Sequence, residues 1–177
     1  MKGVGDMLIE IIGALIKLLL LGLVIFGAVK GILALKRLSF PEKKKTIISS
    51  LIYILIVTLS WFFNFGWIRF VLTLYLIPLI HAIIFFVMNI LAGKFGGESA
   101  KLKMLSLIFV ITYFVSYFLF PDGIESEMYF FFGLIKSNML SDIASVISHI
   151  AGFSHFVILI LEIIEIIKIR KQKKQGS

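Results

Sequence analysis

The stretch SDIASVISHIAGFSHFVILILEIIEI, residues 141–166, decides how this chain folds. Its apolar character continues far beyond the 4–8 residues of a buried strand, without period-two alternation. That length and composition suit a helix crossing a bilayer. Yet Ser141, Ser145, Ser148, Gly152, His155, Leu159, Glu162 and Ile166 recur at alternating steps of four and three. This 3.5-residue seam is the pattern of left-handed helix packing. Small residues let helix backbones approach closely in lipid, and serines hydrogen-bond across the contact. The seam is therefore expected to be a packing face.

The rest of the chain follows the same design. Sixty per cent of the 177 residues are hydrophobic, and the mean hydropathy is +1.07. Soluble domains average about 45–50% apolar. Five segments are long and apolar enough to cross a core of about 30 Å: 11–35, 46–63, 70–92, 104–120 and 143–167. The expected fold class is all-α, a polytopic integral membrane helical bundle of about five transmembrane helices forming one domain over residues 1–177. Residues 128–140 are too short to span and are expected to form an interfacial helix or a re-entrant piece. Residues 168–177 form a polybasic tail.

Charge sets the expected orientation. The formal net charge is +8, and 13 of the 18 Lys/Arg lie in 36–45, 93–103 and the tail. The opposite side carries Lys2, Arg69 and Lys136, with four acids between 121 and 142. The positive-inside rule then places the C-terminus in the cytoplasm and the N-terminus outside, in a multi-pass protein of the cell (plasma or inner) membrane. Basic residues confined to short connectors argue against nucleic acid as a partner. The lipid bilayer is the first partner, and anionic lipid at the basic tail is a second. Lys2 and the long apolar run after it do not make a cleavable signal peptide. Asp6, Glu10, Gly13 and Lys17 share one side of an amphipathic turn, so residues 1–17 either span or lie on the surface.

Ionisable groups inside a membrane are costly and mark functional sites by default. Counted from the outer ends of their helices, His81 and His155 lie at similar depth. The expected reading is two separate histidines, each bonded to a serine or carbonyl. The alternative is a shared site near the midplane: a proton relay, a metal site or a pair of axial haem ligands. Lys30, Asn89 and Glu162 form an expected second layer nearer the cytoplasm, joined by Ser49, Ser50, Tyr53 and Ser106. Lys30 is expected to pair with Glu162 or else to snorkel to the surface alone, and Glu165 needs no such partner because Lys168 at i+3 can screen it. Pro78, about one turn before His81, is expected to kink the third span. Gly27 and Gly31 form a GxxxG spacing that favours close approach, within the chain or between copies.

The sequence carries no Gly-x-Ser-x-Gly, His-Glu-x-x-His or phosphate-binding glycine loop. It has no cysteine, which excludes thiol chemistry. No cofactor is expected. The leading expectation is a small non-enzymatic membrane subunit or accessory protein, self-associating or bound to a membrane or cytoplasmic partner. The first alternative is an oligomeric ion or small-solute channel or transporter using the His/Glu/Lys layer. The second is a membrane enzyme or a haem or metal protein built on His81 and His155.

Overall fold

The computed structural model describes residues 42–64, 66–124 and 127–175, and the single helical positions Leu15, Leu19, Gly22 and Lys30. Apart from those four positions, the first expected span, with Gly27 and Gly31, lies outside the described residues, as do residues 1–14. The rest is mostly helical. In chain order it runs α1 (Glu42–Phe63), α2 (Trp67–Leu74), α3 (Ile77–Phe95), a 3₁₀ turn (Gly96–Glu98), α4 (Ala100–Phe118), β1 (Asp122–Ile124), β2 (Glu127–Phe130), β3 (Ile135–Lys136) and α5 (Asn138–Gln175). Among the described residues, four helical stretches are long and apolar enough to cross a membrane: Lys44–Phe63, Ile77–Glu98, Ala100–Phe118 and Asn138–Gln175.

Helix α5 has 38 residues, about 57 Å at 1.5 Å per residue. That exceeds a bilayer core of about 30 Å, and the basic tail continues the helix through Gln175. Its buried residues are Ser141, Ala144, Ser148, Ala151, His155, Glu162, Glu165, Ile166 and Ile169. Ser145, Gly152 and Leu159 flank that stripe, half-buried. The seam faces inward, and its most extensive packing is against α4; α1 and α3 form the next largest contact. At the α4–α5 crossing, the Ser148 hydroxyl donates to the Ser116 carbonyl at 2.7 Å.

The expected 70–92 span is broken in two. Proline lacks an N–H and clashes with the carbonyl four residues back, so a helix ends before it or restarts with it in the first turn. Here α2 stops at Leu74, Leu76 takes a left-handed φ of 56°, and α3 begins at Ile77 with Pro78 in its first turn. The kink expected at Pro78 is a complete helix break. In α2 only Arg69 is buried, while Trp67 and Tyr75 are largely exposed on either side of it.

Residues 128–140 do not form an interfacial helix. They contribute to a three-stranded antiparallel sheet in the order β1-β2-β3, and α5 already begins at Asn138. Tyr and Phe favour strand backbone. Phe131, Phe132 and Gly133 then take three successive positive φ values, 51°, 61° and 67°, which turn the chain back. Phe132 is buried, and its ring centre lies 5.1 Å from that of Phe118 at the end of α4. Packing of these rings against α4 outweighs the helical reading of so short a segment.

The bundle core is aromatic. Phe85, Phe109 and Tyr113 are fully or almost fully buried, with Phe85 stacked on Tyr113 at 4.0 Å. Leu51, Leu55, Ile83, Val87, Ile150, Phe153 and Ile160 are exposed on the outer faces. They form the kind of apolar surface a bilayer covers.

Candidate functional site

His81 on α3 and His155 on α5 meet in the core, ring centres 4.7 Å apart and edge to face. His155 is fully buried and stacks on Phe109 at 4.0 Å. Its Nδ1 lies 3.1 Å from the Phe109 carbonyl, which can only accept, so Nδ1 carries the hydrogen. Thr112 Oγ1, at 3.1 Å from the same nitrogen, donates to the Ile108 carbonyl at 2.9 Å and so accepts from the ring. This leaves a bare lone pair on His155 Nε2. His81 Nδ1 is 2.9 Å from the Tyr117 hydroxyl. Nε2 of each histidine is buried without a hydrogen-bond partner among the described residues. A groove of about 290 Å³ opens beside His81, bounded in part by Trp61, Ser116, Tyr117, Ser148 and Phe153.

The geometry narrows what the pair can hold. With metal–nitrogen bonds of about 2 Å, two imidazoles trans to one another on an iron stand about 6 Å apart, centre to centre. A porphyrin plane would also lie between them. The 4.7 Å separation and the aromatic packing leave no room for that arrangement. Among the described residues, no three His, Asp or Glu side chains gather as metal ligands.

Glu162, two turns along α5 from His155, is fully buried. Neither of its carboxylate oxygens has a hydrogen-bond partner among the described residues. No hydrogen bond links it to Lys30, which occupies an exposed helical position. Asn89 donates to the Phe85 carbonyl of its own helix at 2.9 Å. Ser49 and Ser50 both donate to the Thr46 carbonyl. The structure thus brings His81 and His155 together but does not join Lys30, Asn89 and Glu162 by hydrogen bonds into a second layer.

Glu165 does not turn to Lys168. It accepts from the Ser99 hydroxyl at 2.9 Å and lies 3.9 Å from the Lys101 ammonium. Ser99 is also the N-cap of α4, accepting from the Leu102 N–H at 3.2 Å. The i+3 pairing is displaced because the N-terminus of α4, with its unsatisfied N–H groups, favours a carboxylate. Ser99→Ala removes the cap and the bond to Glu165 together. It is expected to cost about 1 kcal/mol, read as a lower unfolding midpoint in detergent, whereas Lys168→Ala leaves that midpoint unchanged.

A heavily bonded polar group was not among the sequence candidates. Arg69 is fully buried. Its Nη1 donates to the Ser60 and Trp61 carbonyls, at 3.0 and 3.3 Å. Its Nη2 donates to the Tyr117 and Phe120 carbonyls, at 3.1 and 2.6 Å. These oxygens close the C-terminal ends of α1 and α4, where a cation complements the helix dipole. The guanidinium also lies 4.8 Å from the Trp61 ring centre. Asp122 accepts from the N–H groups of Gly66, Ile68 and Arg69 at the start of α2. A Cβ on Gly66 would come within 2.6 Å of the Asp122 carboxyl, so glycine is required there. Burial pulls the Arg69 guanidinium down to about 10, with Asp122 and then Tyr117 opposing the fall. It therefore stays charged at neutral pH.

The chain matches no protein-family model, no curated protein and no solved structure. Its function has to be argued from its own residues. Two signals for the Arg69–Asp122 knot were present in the sequence: a lone arginine inside an apolar stretch, and Pro-Asp-Gly directly after a span. For Thr112, Tyr113 and Tyr117 the signal was their helical spacing on the fourth span.

Proposed function

We propose that this chain is a non-enzymatic subunit or accessory protein of a cell membrane, working through contacts with a second copy or another protein. It crosses the bilayer with about five spans and keeps its basic connectors and C-terminus on the cytoplasmic side, as the charge asymmetry favours. Supporting this reading is the use made of the interior polar side chains. Arg69, Asp122, Ser148 and Asn89 all bond to backbone groups, and Glu165 is tied to the α4 cap. The Arg69, Asp122, Ser148 and Glu165 bonds tie separate elements together, while the Asn89 bond lies within α3. Aromatic rings pack against both histidines, and among the described residues neither has a carboxylate hydrogen-bonded to it. The test is native mass spectrometry of the protein in mild detergent, with an absorption spectrum of the same sample. A homo-oligomer or a stoichiometric complex without visible absorbance is expected; a monomer carrying a cofactor would sink the proposal.

One observation favours a second reading, an oligomeric channel or transporter. Among the described residues, Glu162 and both histidine Nε2 atoms are buried without hydrogen-bond partners, as sites that take up a proton or ion would be. On that reading His81→Ala, His155→Ala or Glu162→Ala abolishes flux while assembly persists. On the first reading all three assemble normally and no flux is lost, because there is none.

A further inference from the structure

We propose that a crevice between the ends of α3 and α5 binds the phosphate-bearing headgroup of an anionic phospholipid. The crevice, about 670 Å³, is lined by Lys94 and Phe95 from α3 and by Ile167, Arg170, Lys171 and Lys174 among others from α5. Its floor is Phe95, which is 5% exposed. Three cations crowd that one ring: the Lys94 ammonium at 5.5 Å, the Arg170 guanidinium at 5.5 Å and the Lys173 ammonium at 5.9 Å from its centre. Like charges gathered this closely repel one another, and cation–π attraction offsets only part of that cost. Glu98 answers one of them, at 2.6 Å from Lys173. Lys94, Arg170, Lys171 and Lys174 leave an excess of positive charge that an anion would neutralise.

The position of the crevice selects lipid over a soluble anion. It lies where α3 ends and where α5 passes from its apolar stretch into its basic one. Ile167 belongs to its wall, and Ile160, Ile163 and Ile164 continue exposed along α5 toward the middle of the bundle. A ligand with a phosphate at one end and acyl chains at the other meets cations first and an apolar helix face beyond. Arginine supplies the forked donor that suits phosphate oxygens, and the lysines supply point charge. Because the tail is helical through Gln175, these cations are held in fixed register with Lys94, unlike those of a loose polybasic tail.

The test is native mass spectrometry of the full-length protein in mild detergent with phosphatidylglycerol, phosphatidylcholine or inorganic phosphate added. Phosphatidylglycerol adducts are expected to survive at collision energies that strip phosphatidylcholine. Affinity for phosphatidylglycerol should fall about fivefold for each cation removed in Arg170→Gln, Lys171→Gln and Lys174→Gln. Lys136→Gln, at the opposite end, should change nothing. If the triple variant fails to fold, Lys94→Gln alone reads the same site from α3. Equal retention of the two lipids, or no loss in the variants, would overturn the proposal. Displacement of the lipid by millimolar inorganic phosphate would overturn the lipid assignment and leave a free-phosphate site.

Discussion

Replacing Arg69 by methionine is expected to destabilise the fold by about 3–5 kcal/mol, the cost of breaking a buried charged network from one side. Methionine fills much of the same volume but donates nothing. The Ser60, Trp61, Tyr117 and Phe120 carbonyls would lose their common donor, and the buried Asp122 carboxylate would lose its nearest counter-charge. Arg69→Lys should recover only part of the loss, because one ammonium cannot reproduce a planar fork that reaches two helix ends. Asp122→Ala should be nearly as severe, since it strips the acceptor from three N–H groups at the start of α2. Denaturant titration in detergent measures all three. A loss below about 1 kcal/mol for Arg69→Met, the range of an exposed pair, would show that the knot is ornamental.

The second large effect is expected at Gly93. A Cβ there would come within 2.6 Å of Thr46 Oγ1 and 2.8 Å of Thr46 Cγ2, so α3 and α1 cross at a distance set by a missing side chain. Gly93→Ala is expected to cost about 1–3 kcal/mol, the usual penalty of overpacking a tight site. Thr46→Ala in the same chain removes the atoms in the way and should restore most of the loss; such non-additivity is what direct contact requires. Gly152 is the instructive contrast. A Cβ at that position would meet Ser116 at 3.9 Å, an ordinary contact, so Gly152→Ala should be close to neutral. The same titration checks both, and equal costs at Gly93 and Gly152 would contradict this packing.

Much of this fold was legible because bilayer length and the 3.5-residue seam are properties of local sequence. Ser141, Ser148, His155, Glu162 and Ile166 are buried along one stripe of α5, as their spacing requires. The approach of His81 to His155 also follows from depth along two helices. What spacing does not carry is which long-range partner wins. Glu165 had a basic neighbour at i+3 and yet joins Ser99, 66 residues away, because the N-terminal end of α4, which Ser99 caps, favours a carboxylate. Arg69 read as one more charge on the outer side, since nothing local shows that two helix C-termini converge on it. Residues 128–140 read as a surface helix because their apolar length suits one. Three successive left-handed residues and a ring packed against Phe118 turn them into a sheet instead.

The close-approach glycines make the same point. The GxxxG pair at Gly27 and Gly31 was visible as a pattern, while Gly93 and Gly66 were not. A glycine's role there depends on Thr46 and Asp122 lying opposite, which is a property of tertiary structure alone. In the expected inner layer, local acceptors compete in the same way. Ser49, Ser50 and Asn89 satisfy themselves on carbonyls of their own helices, as such side chains often do.

The most direct test of the central claim is ion flux through the purified wild-type protein in sealed vesicles, with a pH-sensitive dye inside and an imposed proton or potassium gradient. A subunit whose buried polar groups hold helices together should dissipate the gradient no faster than empty vesicles. Faster dissipation that His81→Ala, His155→Ala and Glu162→Ala each abolish, in variants that still assemble, would contradict the account and make the buried polar groups a conduction path.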